Sequence, residues 1–239
     1  MDIIAWNIQW GGKSRLDAIE SVLVDRAADI IVLGEYVRGA TEPLIERLSC
    51  GGWTHHVVPD PPAKRGGVAI VSRVPLETRP SPQGMSETYR YAAVGIPSVN
   101  LELRGVYAPL QGDPYQEFWE TLLQSLESEA DKPVVLLGDL NACIPLVDTP
   151  ASSLFSAKYF KRLPAAGYTD LWRATNDSVA EICTWQGQTH PYRLDHAFGT
   201  ASAAARVSHC AYDHSVRLAG HSDHSMLLLS VDSDDSAVV

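Results

Sequence analysis

Apolar residues in this chain come in short runs whose spacing predicts most of its elements. Ile3 to Ile8, Ile30 to Leu33 and Val134 to Leu137 read as buried strands. Trp53 to Val58 alternates apolar and polar like a half-exposed strand, and Gly66 to Arg73 is a strand entered through glycines. Tyr91 to Ile96 and Val99 to Tyr107 read as an antiparallel pair turned at Pro97-Ser98. Cys183 to Trp185, Tyr192 to Phe198, Val207 to Tyr212 and Met226 to Val231 complete the strands. Helical spacing appears between them. A helix capped by Ser14 runs to about Ala28, and a shorter one capped by Thr41 runs to Leu48, with Gly51-Gly52 ending it. Tyr115 to Glu129 turns Phe118, Leu122, Leu123 and Leu126 inward, and Ser153 to Ala166 is helical with Gly167 as its stop. Pro75 to Gly84 reads as loop.

Strands outnumber helices, and several are direct neighbours. That does not fit one all-parallel doubly wound sheet. It fits two mixed sheets packed face to face with helices outside, an α/β (α+β) sandwich. With 239 residues, 45% of them hydrophobic, the chain can build one substantial core. No Pro/Gly/Ser-rich linker or fixed-period repeat divides it. A single domain is expected over 1–231, followed by an acidic tail, 232–239, that frays.

No run approaches the roughly 20 apolar residues that span a bilayer. The first residues lack a basic stretch leading into an apolar one, so a cytoplasmic location is expected. Cys50, Cys143, Cys183 and Cys210 form no CxxC and read as small packed residues rather than a zinc or disulfide framework. The net charge of −10 argues against a long basic groove for duplex DNA. It leaves a phosphate substrate open, because bound cations reverse the field of a carboxylate cluster.

Polar residues gather where the apolar runs stop. Asn7 ends the first, Glu35 follows the second, and Asp139 and Asn141 end the run from Val134. Asp195 lies among apolar neighbours, and Asp223-His224 precedes the last strand. Carboxylates and imidazoles are costly to hold at strand mouths. Period-2 spacing puts Asp139 and Asn141 on one face. They suit either an Asx-turn or a water held beside a phosphate. Glu35 reads as a solvated carboxylate or as a hard ligand for magnesium. Asp195 can orient His224 and support its charged form, which would stabilise a phosphorane-like transition state. Tyr107 either packs or hydrogen-bonds a phosphoryl oxygen. His55, His56, His209 and His214 read as structural, while His190, His196 and His221 stay open. Ser222 and Ser225 flank the Asp-His pair without a Gly-x-Ser-x-Gly turn. The basic and aromatic stretch Lys158 to Arg162 reads as a solvated helix face.

Six short motifs in one order, WN, GE, YAP, GDLN, RLD and SDH, resemble the endonuclease/exonuclease/phosphatase superfamily. The resemblance runs from Ile3 to about Leu229. It implies a four-layer αββα sandwich with its site at one edge of the paired sheets. It also implies Asn7, Glu35 and Asp223 in the metal region, with Glu35 the principal Mg2+ or Mn2+ ligand. Asp139 would orient or deprotonate the attacking water. Asn141 would hold that water or a phosphate oxygen, and Asn7 would lie against the phosphate. Asp195 would orient His224 onto the scissile phosphate, and Tyr107 would lie against it. Three departures stand out: Gln9 where an acidic residue is frequent, Gly34 before Glu35, and His196 after Asp195. The activity implied is metal-dependent phosphodiester hydrolysis by in-line attack of water, with a nucleic acid as first substrate. Hydrolysis of a small phosphorylated molecule or phospholipid headgroup is the alternative, and a non-catalytic binding module the third reading. The chain is expected to act as a monomer, and no protein partner is readable.

Overall fold

The structure is a computed structural model that describes residues 1–110, 113–176 and 183–233. The tail from 234 onward lies outside the described residues. Strands β1 (Asp2–Asn7), β2 (Ile30–Val37), β3 (His55–Val57), β4 (Gly66–Ser72), β13 (Val207–Asp213) and β14 (Met226–Val231) form one six-stranded sheet. Its order is β13-β14-β1-β2-β4-β3. Strands β5 (Glu77–Arg79), β6 (Tyr91–Ile96), β7 (Leu101–Tyr107), β8 (Val134–Asp139), β9 (Tyr168–Asp170) and β12 (Asp195–Thr200) form the second, in the order β5-β6-β7-β8-β12-β9. A small hairpin, β10 (Trp185–Gln186) and β11 (Pro191–Tyr192), lies outside both sheets and touches His224 through a β-bridge from Trp185. Helices α1 (Leu16–Arg26) and α2 (Glu42–Cys50) cover the first sheet. Helices α3 (Asp113–Glu127) and α4 (Ala157–Phe160) cover the second. Shorter helices are α5 (Leu171–Thr175), α6 (Ala201–Ala204) and α7 (Ser215–Leu218).

Strand alternation sorts the core into three layers. Ile3, Ala5, Ile30 and Val32 meet Leu103, Val135, Leu137 and Ala197 between the sheets. The intervening residues Ile4, Trp6, Ile31 and Leu33 pack on α1 and α2 through Ile19, Leu23, Leu44 and Leu48. Leu136 and Phe198 pack outward on Phe118, Trp119, Leu122 and Phe160. Central strands are thus covered on both faces, which is why they read as continuous apolar runs. The four-layer sandwich expected from the sequence is the one observed. Among the described residues no helix is long and apolar enough to cross a membrane.

Several boundaries differ from expectation. The helix expected over 153–166 shrinks to α4 and i→i+3 turns such as Arg162 N to Tyr159 O and Leu163 N to Phe160 O. Pro164 lacks an N–H and disfavours helix at Leu163. Ser14 sits inside a 3-10 turn and caps nothing, so α1 begins at Leu16. Thr41 precedes α2, but its Oγ1 accepts from Val37 N instead of capping. The stretch from Pro75 to Gly84, expected as loop, contains β5, an edge strand paired with β6. The run from Tyr192 to Phe198 breaks in two. Arg193 N donates to Asp148 O and Leu194 N to Thr184 Oγ1, so neither joins a ladder.

Candidate active site

Strand direction brings the polar strand ends together. β1 runs parallel to β2, and β7 parallel to β8, so Asn7, Glu35, Tyr107 and Asp139 finish at one edge. β12 runs antiparallel to β8 and starts there, with Asp195 opposite Asp139. β14 runs antiparallel to β1, which puts His224, just before it, at the same edge. Asn7, Tyr107, Asp139 and Asp195 all share the parity of residues packed between the sheets. Their side chains therefore enter the gap where the two sheets part. His196 has the opposite parity. It packs on Phe160 at 4.7 Å, donates through Nε2 to Ala142 O (2.9 Å), and is structural.

Glu35 has the wrong parity for the gap and reaches it through a bulge. Gly34 pairs with Val68 and Tyr36 with Gly67, leaving Glu35 as the extra residue at φ 56°. The slip returns Tyr36 to the helix-facing layer and turns Glu35 inward. A left-handed glutamate is strained and must be held by its surroundings. Its Oε1 accepts from Asn7 Nδ2 (3.1 Å) and Tyr107 OH (3.3 Å). Its Oε2 accepts from Trp10 N (2.5 Å).

Asn7 is the hub. Its Nδ2 also donates to Asp139 Oδ2 (2.9 Å) and lies 3.4 Å from His224 Nε2, while its Oδ1 accepts from Gln9 N (2.9 Å). His224 Nδ1 meets Asp195 Oδ2 at 2.9 Å, and Nε2 lies 3.9 Å from Asp139 Oδ2. Ser222 Oγ donates to Asn7 O (2.6 Å) and accepts from His224 N, which fixes the SDH turn on β1. Asn141 does not extend the strand face as its spacing suggests. It is left-handed at φ 44°, and its N–H donates to Asp139 Oδ1 in an Asx-turn while its Nδ2 donates to Ala108 O. Asp223 stands to one side: Oδ2 accepts from Trp185 Nε1 (3.1 Å), and Oδ1 is buried without a hydrogen-bond partner.

The electrostatics follow from burial and pairing. Burial alone would depress the His224 imidazole, but Asp195 and then Asp139 outweigh it and hold it up at about 10. Burial, and then the Asp195 charge, lift the Asp139 carboxyl to about 7 against the pull of His224. Burial, then Glu35 and Asp139, push the Tyr107 phenol well above its ordinary value. Asp139, Asp195 and His224 bring ligand atoms within 4.8 Å of one another, so the edge can hold a metal ion. A protonated imidazole offers a metal no lone pair, which leaves carboxylate oxygens as the donors. Those, and the orphaned Asp223 Oδ1, suit a hard cation.

A sequence model described as the Endonuclease/Exonuclease/phosphatase family matches residues 4–224. The chain belongs to that family. It is a phosphoester-hydrolysing enzyme of this type, and all eight candidate site residues lie within the match. Solved structures similar to this member include a 3′ phosphatase, NExo, from Neisseria bound to product DNA hairpin (22% identity, 97% of this chain and 99% of that one, TM-score 0.83). The 3′-5′ exonuclease NExo from Neisseria meningitidis matches with 22% identity over 97% and 100%, at TM-score 0.83. An AP endonuclease from Archaeoglobus fulgidus matches with 21% identity over 97% and 99%, at TM-score 0.81. At these identities the likeness is one of fold. No curated protein matches the sequence.

Four contributors escaped sequence reasoning. Trp185 holds Asp223, Ser222 ties the SDH turn to β1, and Thr184 Oγ1 accepts from Asp195 N. Arg193 is fully buried; it pairs with Asp148 and Asp170, and its Nε donates to Tyr212 OH, which donates to Asp195 O. Arg193, an arginine two places before Asp195, and Ser222, the first residue of the SDH motif, stand in the quoted motifs, but their contacts left no trace in the sequence.

Proposed function

We propose that this enzyme is a divalent-cation-dependent nuclease that hydrolyses phosphodiester bonds in DNA or RNA by in-line attack of water. The observation that carries the reading is the Asp195–His224–Asp139–Asn7–Glu35 chain of contacts at the sheet edge, buried up to Asn7 and half-buried at Glu35. It sets a positive imidazole beside two carboxylates of different task. Asp195 fixes the His224 ring through Nδ1, so Nε2–H faces the gap and would donate to a nonbridging phosphate oxygen. Asp139, lifted toward neutrality, is matched to take the proton of the attacking water through its Oδ2. Asn141, locked by its Asx-turn, would orient that water or a phosphate oxygen. Tyr107, kept protonated, would donate to the phosphate once its bond to Glu35 is exchanged. Glu35 and Asp223, with Asn7 beside them, would hold Mg2+ or Mn2+. When bound, the ion would neutralise the phosphate and stabilise the leaving oxygen.

The neighbours, a 3′ phosphatase bound to a product DNA hairpin, a 3′-5′ exonuclease and an AP endonuclease, support a nucleic-acid substrate. The net charge of −10 supports the second reading, a small phosphoester or phospholipid headgroup. Supercoiled plasmid, a hairpin bearing a 3′ phosphate and bis-p-nitrophenyl phosphate, each with magnesium, manganese or EDTA, separate the two. Metal-dependent cleavage of nucleic acid, lost in Asp139→Asn, is the expected result. Hydrolysis of the small diester alone would move the assignment to small phosphoesters.

A further inference from the structure

The loop after β1 is tightly constrained and partly exposed. Gln9, Trp10, Gly11, Gly12 and Lys13 all have positive φ, at 54°, 51°, 72°, 75° and 47°. Glycine adopts this region freely, whereas Gln9, Trp10 and Lys13 are strained in it. Such strain persists only where the surroundings over-determine it, and here they do. Gln9 N donates to Asn7 Oδ1, Trp10 N to Glu35 Oε2 and Gly11 N to Glu35 O. From the other side, the Arg15 guanidinium binds the carbonyls of Ile8, Gln9 and His221. What the loop displays is Trp10, 44% exposed and three residues after Asn7.

Single exposed apolar residues are ordinary. This one differs because its backbone is strained and its loop is pinned by two side chains of the site, Asn7 at Gln9 N and Glu35 at Trp10 N. The same rim carries other apolar groups. Of the seven large hydrophobics exposed among the described residues, Trp10, Leu110, Leu146 and Val147 all lie on loops that leave β1, β7 and β8. Those are strands whose ends bear Asn7, Tyr107 and Asp139. The molecule, at −10, has few cations with which to track a phosphate backbone, so affinity for a nucleic acid has to come largely from the bases. A rigid aromatic ring supplies that without sequence preference, because every base has a π face.

We propose that Trp10 is a specificity-determining residue of this enzyme, a preorganised platform on which an unpaired nucleobase next to the scissile phosphate stacks. The inference rests on the nuclease reading. A base held on the ring would be tied to the site through the Trp10 N–H, which donates to Glu35 Oε2. The loop's bonds to Asn7 and Glu35 then make binding and site geometry one rigid unit.

The test is binding by fluorescence anisotropy in the Asp139→Asn background with magnesium. The probes are a single-stranded mixed-sequence oligonucleotide and an oligomer of equal length made wholly of abasic units. Trp10→Gly removes the ring at a φ that glycine accepts, and Trp10→Tyr keeps an aromatic face. Far-UV circular dichroism and a thermal melt check folding. With Trp10 present, the base-bearing oligomer should bind more tightly than the abasic one. Trp10→Gly should weaken the base-bearing oligomer about tenfold and erase that preference, with Trp10→Tyr close to the starting protein. Equal loss on both probes, or none on either, would overturn the platform while leaving the nuclease reading intact. If the unmodified enzyme also neither binds nor cleaves the oligonucleotide, the nuclease reading itself has failed. Quenching of Trp10 by phosphatidylcholine vesicles but not by oligonucleotide would replace the base with a lipid surface and overturn the inference.

Discussion

His224 is surrounded by carboxylates, and its charge is set by them. The imidazole is held up at about 10, above the ordinary histidine value near 6.5. A raised folded value means that its stabilisation is present in full below about pH 6.5 and is lost as pH rises through about 10. For the reaction, the same shift keeps Nε2–H available across neutral pH. The alkaline limb of kcat/KM should therefore lie far above 6.5 and move down in Asp195→Asn. A limb that stays in place would remove Asp195 from its orienting role. His224→Ala and Asp139→Asn should each lower kcat by about a thousandfold or more. Both should keep a cooperative melt, which is the check that folding is not what was lost. Arg193 acts further out, through Tyr212 OH on Asp195 O. Removing that bond in Tyr212→Phe is expected to lower kcat by a few fold, with KM held.

At the level of single elements, the β7–β8 pairing decides where Asp139 sits. Gly138, next to it, has φ +131°, and a Cβ there would stand 2.1 Å from Val106 O. No side chain can yield, because the obstacle is backbone of the neighbouring strand. Gly138→Ala should cost about 3 kcal/mol or more, read as a fall in the denaturation midpoint, and should displace Asp139. The bulge at Glu35 is the complementary device. It converts a helix-facing position into one that faces the gap, so the placing of the Glu35 carboxylate, proposed above as a metal ligand, depends on one extra residue in β2. Residue-level motifs show Glu35 after a strand and a glycine; they carry no sign of the slip that aims it.

Across the whole molecule, the sandwich hides ionisable groups that report on pH and salt. Burial, and then the Arg193 charge, depress His196 to about 3. Between about pH 6.5 and 3 the unfolded chain binds the extra proton, so stability falls as pH falls through that window. The slope is at most about 1.4 kcal/mol per pH unit. His196→Phe, packed between Phe160 and Phe198, should flatten the decline of Tm between pH 6.5 and 4.5. An unchanged slope would place the acid sensitivity elsewhere. With a net charge of −10, binding of a single-stranded substrate should depend weakly on salt, with a log–log slope no steeper than about 2. A steep slope would reveal a cationic track and displace base stacking as the main source of affinity.

The sequence alone determined the layers and the chemical inventory. Continuous apolar runs mark strands buried on both faces, and the polar residues that stop them are the ones found at the sheet edge. Alternation even distinguishes Asp195 from its neighbour His196, once the inward face is known. Which face is inward, and which strand end meets which, were decided only in three dimensions. Asn7 touches groups 28, 132 and 217 positions away, and no local period encodes such pairings. They follow from strand direction and register, which are fixed by burying two faces of each sheet at once. The same holds for the short helices and for 153–166, where packing and Pro164 overrode helical spacing. Local pattern fixes what each residue can do, and non-local packing selects the few that do it together.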